Sequence, residues 1–142
     1  MTRTFLLVSL CLLLACCARP ATEELFVSGR EAVNGAYEFA LDFTDSSSTY
    51  DIAFYTRVDR FSLGKIPEES IALQISWISP KDSIRMEERV WMPCGNLKGV
   101  KADYRTGIHP TEAGVWTLLV RPKDPPRGFR GLGLIITRNG TR

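Results

Sequence analysis

The chain has 142 residues, one histidine, four cysteines and a formal charge of +2. That length supplies one ordinary domain, with about 110 residues left to fold once a leader is removed, enough for a core without disulfide staples. The basic residues are scattered apart from a small group at Arg121, Lys123, Arg127 and Arg130, so the balance gives no electrostatic footprint for nucleic acid.

The first stretch carries the clearest signal. Met1-Thr2-Arg3 is a short basic start, and the ten residues from Phe5 to Leu14 are apolar apart from Ser9. A bilayer span needs about 20 apolar residues, so this run reads as a signal peptide and not as a membrane helix. Its end, Leu13-Leu14-Ala15-Cys16, resembles the lipobox of bacterial lipoproteins. That resemblance implies cleavage after residue 15, acylation of the Cys16 thiol and usually of the new amine. Cys17 is the alternative, although it would put Cys16 where the pattern favours Gly, Ala or Ser; an ordinary cleaved signal is the other reading. Two or more acyl chains anchor a protein stably, whereas one binds only marginally. The expected organisation is a signal peptide over 1–15, a lipidated N-terminus and tether over 16–33, and one domain over 34–142. Cys94 has no histidine near it in the sequence and reads as a lone small residue in a loop or at a strand end.

Ala18 to Glu24 is polar, with Arg19, Pro20 and Glu23-Glu24, and suits a flexible tether. Beyond it the apolar period is two. Tyr37, Phe39, Leu41 and Phe43 alternate with Glu38, Ala40 and Asp42, then Asp45-Ser46-Ser47-Ser48 makes a turn. Tyr50, Ile52, Phe54, Thr56 and Val58 share one face of the next strand, with Asp51, Ala53, Tyr55 and Arg57 on the other. Ile71, Leu73, Ile75 and Trp77 form a third face, and Ser79-Pro80-Lys81-Asp82 turns the chain into a fourth strand. There Ile84, Met86, Glu88, Val90 and Met92 oppose Arg85, Glu87, Arg89 and Trp91. Val100, Ala102 and Tyr104 suggest a short strand. Val115 to Val120 is nearly continuous in apolar residues, which predicts burial on both faces. Pro122, Pro125 and Pro126 mark a stiff basic loop, and Leu132, Leu134 and Ile136 the last strand. The pattern predicts an all-β antiparallel sandwich, jelly-roll or immunoglobulin-like, of seven to eight strands.

No catalytic or metal constellation emerges. His109 stands alone beside Pro110 in a predicted loop. Glu87 and Glu88 point to opposite faces of one strand, and Glu68-Glu69 lies in a turn, so no facing pair of carboxylates is available for acid–base work. The glycines of Arg127 to Leu134 precede a strand and not a helix, so they read as a bulge or close backbone approach instead of a phosphate loop. Of the three tryptophans, Trp77 and Trp116 share parity with core residues. Trp91 falls on the polar face, where it is either covered by a neighbouring loop, the commoner fate, or a contact for a partner or sugar ring. Asp82-Ser83-Ile84 resembles the acceptor for O-glycosylation at Ser83 in Bacteroidetes envelopes. Asn139-Gly140-Thr141 fits the N-glycosylation pattern, which seldom matters in a bacterium.

Two segments carry a family resemblance. Glu112-Ala113-Gly114-Val115-Trp116-Thr117-Leu118-Leu119-Val120-Arg121 is similar to the "glycine, aromatic, then strand" segment of the gliding-motility-associated lipoproteins of the GldH type, small Bacteroidetes proteins with one β-domain. Leu132-Gly133-Leu134-Ile135-Ile136 resembles their closing strand, and the runs from Tyr37 to Phe43 and Tyr50 to Arg57 their paired early strands. The middle departs: Val90-Trp91-Met92-Pro93-Cys94-Gly95 stands where relatives often carry a Gly/Trp-rich stretch. The resemblance implies a non-catalytic accessory part, without cofactor or metal, in envelope machinery for motility or secretion. Its partners would be the membrane, through the anchor, and other envelope proteins. The surface candidates for contact are Trp91, Arg121, Arg127 and Arg130. A carbohydrate-binding lipoprotein of a glycan-uptake system is the alternative. Neither Cys17 nor Ala18 is the aspartate that retains enterobacterial lipoproteins in the inner membrane, and Glu23-Glu24 come late for surface export. The expected place is the periplasmic side of the outer membrane.

Overall fold

The period-two runs become eight strands in the computed structural model, which describes residues 21–59, 70–93 and 101–140. The signal peptide, both lipidation candidates Cys16 and Cys17, and Cys94 lie outside the described residues. The strands are β1 (Thr22–Ser28), β2 (Tyr37–Phe43), β3 (Thr49–Val58), β4 (Ser70–Ile78), β5 (Arg85–Pro93), β6 (Ala102–Ile108), β7 (Gly114–Lys123) and β8 (Phe129–Asn139). They form two four-stranded antiparallel sheets, ordered β1-β8-β3-β6 and β2-β7-β4-β5.

That order is a long hairpin rolled onto itself. Folding the chain between β4 and β5 brings β1 to β8, β2 to β7, β3 to β6 and β4 to β5; rolling then lays β3 on β8 and β4 on β7. This is the jelly-roll arrangement, and of the two expected sandwiches the immunoglobulin order is the one it excludes. The inner faces meet in a core of Phe39, Leu41, Phe43, Ile52, Phe54, Leu73, Ile75, Leu118, Val120, Leu132 and Leu134, each at most 2% exposed. Alternation predicts these residues because side chains on a strand point to opposite faces in turn.

Several expectations need correction. The segment assigned to the tether contributes β1, whose Thr22 to Ser28 pair with Thr137 to Gly131 and whose Leu25 and Val27 pack on the core. Polar residues at Glu23 and Glu24 hide that strand because they stand on its exposed half. β7 is buried on one face only: Trp116, Leu118 and Val120 are inside, whereas Val115 is 50% exposed. The strand also runs on through Pro122 and Lys123, which had looked like loop. β2 begins opposite Val120, so beyond that point β7 has β4 as its only paired neighbour, an edge-like position that tolerates proline.

The glycines of β8 have the structural role expected. A Cβ on Gly133 would lie 2.0 Å from the Tyr55 ring, and one on Gly131 would lie 2.5 Å from Phe26. Tyr55 stacks on Phe26, Arg57 sits over the Phe26 ring, and the Tyr55 hydroxyl donates to Glu24. This cover explains why Tyr55 is buried although it is on the outward side of β3. It covers the part of the first sheet's outer face around Gly131 and Gly133.

Candidate functional site

Strand register sets the ends of the sandwich apart. At one end lie the turns after β2, β4 and β6, together with the chain entry, where the Arg138 amide donates to the Ala21 carbonyl at 2.6 Å. We call this the entry end. At the other lie the connections after β1 and β7 and the residues around Trp91, the distal end. From the Ile78–Arg85 pair to the Ala72–Trp91 pair β4 climbs six residues, about 20 Å at the usual rise of a strand.

On the outer face of the second sheet the distal end gathers cations around an aromatic. Ala72 pairs with Trp91 on one side and Lys123 on the other; Gln74 pairs with Arg89 and Arg121. Directly paired residues point to the same face, so Arg89, Trp91, Arg121 and Lys123 share one surface across three strands. Trp91 is 68% exposed, against the expectation of cover by a neighbouring loop, and no loop among the described residues covers it. Arg89, Arg121 and Lys123 are exposed and have no ion-pair partner among the described residues. The next row toward the entry end carries the bordering carboxylates, Glu38 and Glu87, flanking Leu119 and Ser76; Asp124 follows Lys123 in the turn.

The basic residues that the sequence grouped together are thereby separated. Arg121 belongs to the face just described. Arg127 is exposed in the turn after β7. Arg130 is on β8 in the other sheet, where its guanidinium is ion-paired with Asp59, Nε lying 2.6 Å from the carboxylate. Arg130 is therefore engaged within the fold and does not extend the surface.

A second concavity, of about 380 Å³, opens at the entry end between the edges of the two sheets. Phe43, Trp77, Trp116 and Met86 line it from the second sheet, and Arg105 and His109 from β6 and the loop after it. Three of the side chains that line it, those of Trp77, Trp116 and Arg105, are engaged within the fold. Trp77 Nε1 donates to the Tyr104 hydroxyl at 2.8 Å and to Glu88 Oε1 at 3.2 Å; Tyr104 and Arg105 both donate to that same Glu88 oxygen, the latter at 2.9 Å. Trp116 Nε1 donates to the Glu112 carbonyl at 2.8 Å. The Arg105 guanidinium lies 5.7 Å from the Trp77 ring and 5.6 Å from that of Tyr104. Burial works to raise the Glu88 carboxyl, but the bonds from Tyr104, Arg105 and Trp77 outweigh it and hold Glu88 below its ordinary value. Burial, then the bond to Glu88, pushes the Tyr104 hydroxyl up. Glu88 thus ties β5 of one sheet to β6 of the other, as a seam along the open side of the sandwich.

His109 is exposed in the loop that borders this concavity. Among the described residues no three His, Cys, Asp or Glu side chains are grouped as metal ligands would be. Ser83 is exposed in the turn between β4 and β5, where its hydroxyl bonds to Glu112 at 3.0 Å and to Ser79 at 3.2 Å. Asp82 beside it takes a positive φ of 56°. Modification at Ser83 would exchange those bonds for exposure of the turn.

Sequence reasoning marked Trp91 and Arg121 as contacts and grouped Lys123 with Arg121, but did not bring Arg89 or Lys123 to Trp91. Parity already placed Arg89 with Trp91. The order β7-β4-β5, which lays Arg121 and Lys123 beside them, is not a local property and left no signal in the chain. No protein-family model matches the chain, and no curated protein matches it either.

Proposed function

We propose that the protein is a non-catalytic lipoprotein of the bacterial envelope, anchored through Cys16, with its β-domain acting as an adapter that docks another envelope component. The lipobox-like Leu13-Leu14-Ala15-Cys16 supports the anchor. The observation that carries the adapter reading is Trp91, 68% exposed on the outer face of the second sheet beside cations that have no ion-pair partner among the described residues. Exposed tryptophan and arginine are the residues most enriched where proteins bind partners. The resemblance to the GldH-type lipoproteins supports an accessory part in a gliding-motility or protein-secretion assembly, on the periplasmic side of the outer membrane.

Cell fractionation tests the anchor: Cys16→Ala should move the protein to the soluble fraction, and retention in membranes would contradict the reading. Affinity purification of the acylated chain from mildly solubilised membranes tests the adapter role, and motility or secretion components are the expected companions. The same exposed indole favours one other reading, a carbohydrate-binding lipoprotein, because an indole face can stack on a sugar ring. Specific binding on a glycan array, lost in Trp91→Ala, would replace the adapter reading with that one.

A further inference from the structure

From the distal face we infer the chemistry of the partner: it presents an acidic protein surface, which docks on Arg89, Trp91, Arg121 and Lys123 at the end of the domain remote from the anchor. This rests on the adapter reading and deepens it.

Three observations carry the inference. The first is charge. Three cations from two strands, with Gln74 and Ala72 between them, occupy adjoining register rows that contain no carboxylate. Exposed cations are commonly neutralised by neighbours within the fold, as Arg130 is by Asp59 and Arg85 by Asp82. These three have no such partner among the described residues, so their field is directed outward. A complementary negative surface would be steered to them, and a basic one repelled. The second is the indole near the distal end of the edge strand β5. Apolar cover of Trp91 by a partner would remove water from around the charge pairs and strengthen them. The third is position. Cys16 is five residues before Ala21, a reach of at most about 18 Å. The chain enters the domain at the entry end, and the Trp91 row lies about 20 Å beyond it. With the anchor at Cys16, the attachment point lies within that reach of the entry end, and the cationic face is on the half of the domain away from it, where a partner protein can approach.

The test uses the full acylated chain, purified from membranes with its companions. Its three arms are NaCl washes of the wild type, the exposed-face variants Arg121→Glu and Arg89→Glu/Lys123→Glu, and Trp91→Ala. Circular dichroism confirms that each variant is folded. The expected result is a companion protein with an acidic surface, displaced by roughly 0.5 M NaCl because exposed charge pairs are screened. Recovery should fall about tenfold or more in each reversal variant and in Trp91→Ala. If a specific companion survives the salt wash and is retained by the reversal variants, docking lies elsewhere: the inference fails while the adapter reading stands. If the wild type recovers no specific companion, the adapter reading itself fails. Recovery of a polyanionic glycan in place of a protein would overturn the assignment of the partner.

Discussion

The two ends of this sandwich use similar residues in opposite ways. At the entry end Trp77, Tyr104, Arg105 and Glu88 spend hydrogen bonds on one another, and Trp77 and Arg105 line the concavity beside them. At the distal end Trp91, Arg89, Arg121 and Lys123 have an exposed ring and charges without ion-pair partners among the described residues. The concavity lies at the first end, but among the described residues the polar groups free to bind a partner lie at the second. Buried polar groups must be satisfied or they cost stability, so the seam explains itself as structure. The distal face has no such internal reason.

The largest expected effect is at the seam. Trp77 is 3% exposed, and truncating a buried tryptophan to alanine costs about 3–5 kcal/mol. Trp91→Ala should stay within about 0.5 kcal/mol, as exposed positions do. Thermal or urea unfolding of the two variants side by side would break the comparison if both lost stability equally. The outer faces of the two sheets sharpen it next. Gly133→Ala must displace the Tyr55 ring and should cost about 1–3 kcal/mol, a typical penalty for overpacking. A neutral result there would mean that the first sheet's outer face is looser than its aromatic cover implies.

Acid should find the seam before the distal face. Glu88 is held below its ordinary value in the fold, so the unfolded chain takes up the proton first. Its contribution is fully present above the unfolded carboxylate value of 4.5 and is lost as pH falls through the lower, folded value. Asp45 behaves alike: hydrogen bonds from Ser47 and Ser48 draw it from 3.8 down to about 2. Glu88→Gln should therefore lower Tm at pH 6 and reduce the further loss of Tm between pH 6 and pH 3. An unchanged pH profile would remove Glu88 from the account. The smallest effect belongs to Arg130→Ala. Its ion pair is exposed and screened by solvent, so thermal unfolding should be nearly unchanged. Partner recovery should be unaffected by it, in contrast to Arg121→Glu.

Much of the fold was legible along the chain, because burial follows parity. Phe39, Leu41 and Phe43, or Leu73, Ile75 and Trp77, announce their face by alternation. β1 was less legible because an edge strand with exposed Glu23 and Glu24 resembles a tether. Pro122 obscured the end of β7 because the strand there has lost one neighbour, which only the register of β2 reveals. Of the site, Trp91 was visible as an aromatic out of phase with its core. Its surroundings were not, since Lys123 stands two strands away and thirty-two residues later. The same limit applied to Arg130, whose partner Asp59, just after β3, stands 71 residues earlier. The family resemblance guided the proposed role, but it could not have indicated which surface carries it.

Site-specific photo-crosslinking in the native cells tests the central claim most directly. A photoreactive amino acid would replace Trp91 in one strain and Met86, 43% exposed beside the entry-end concavity, in another. The account predicts a discrete protein adduct at position 91 and none at position 86. An adduct at 86 with none at 91 would contradict it, and would move the working surface to the seam.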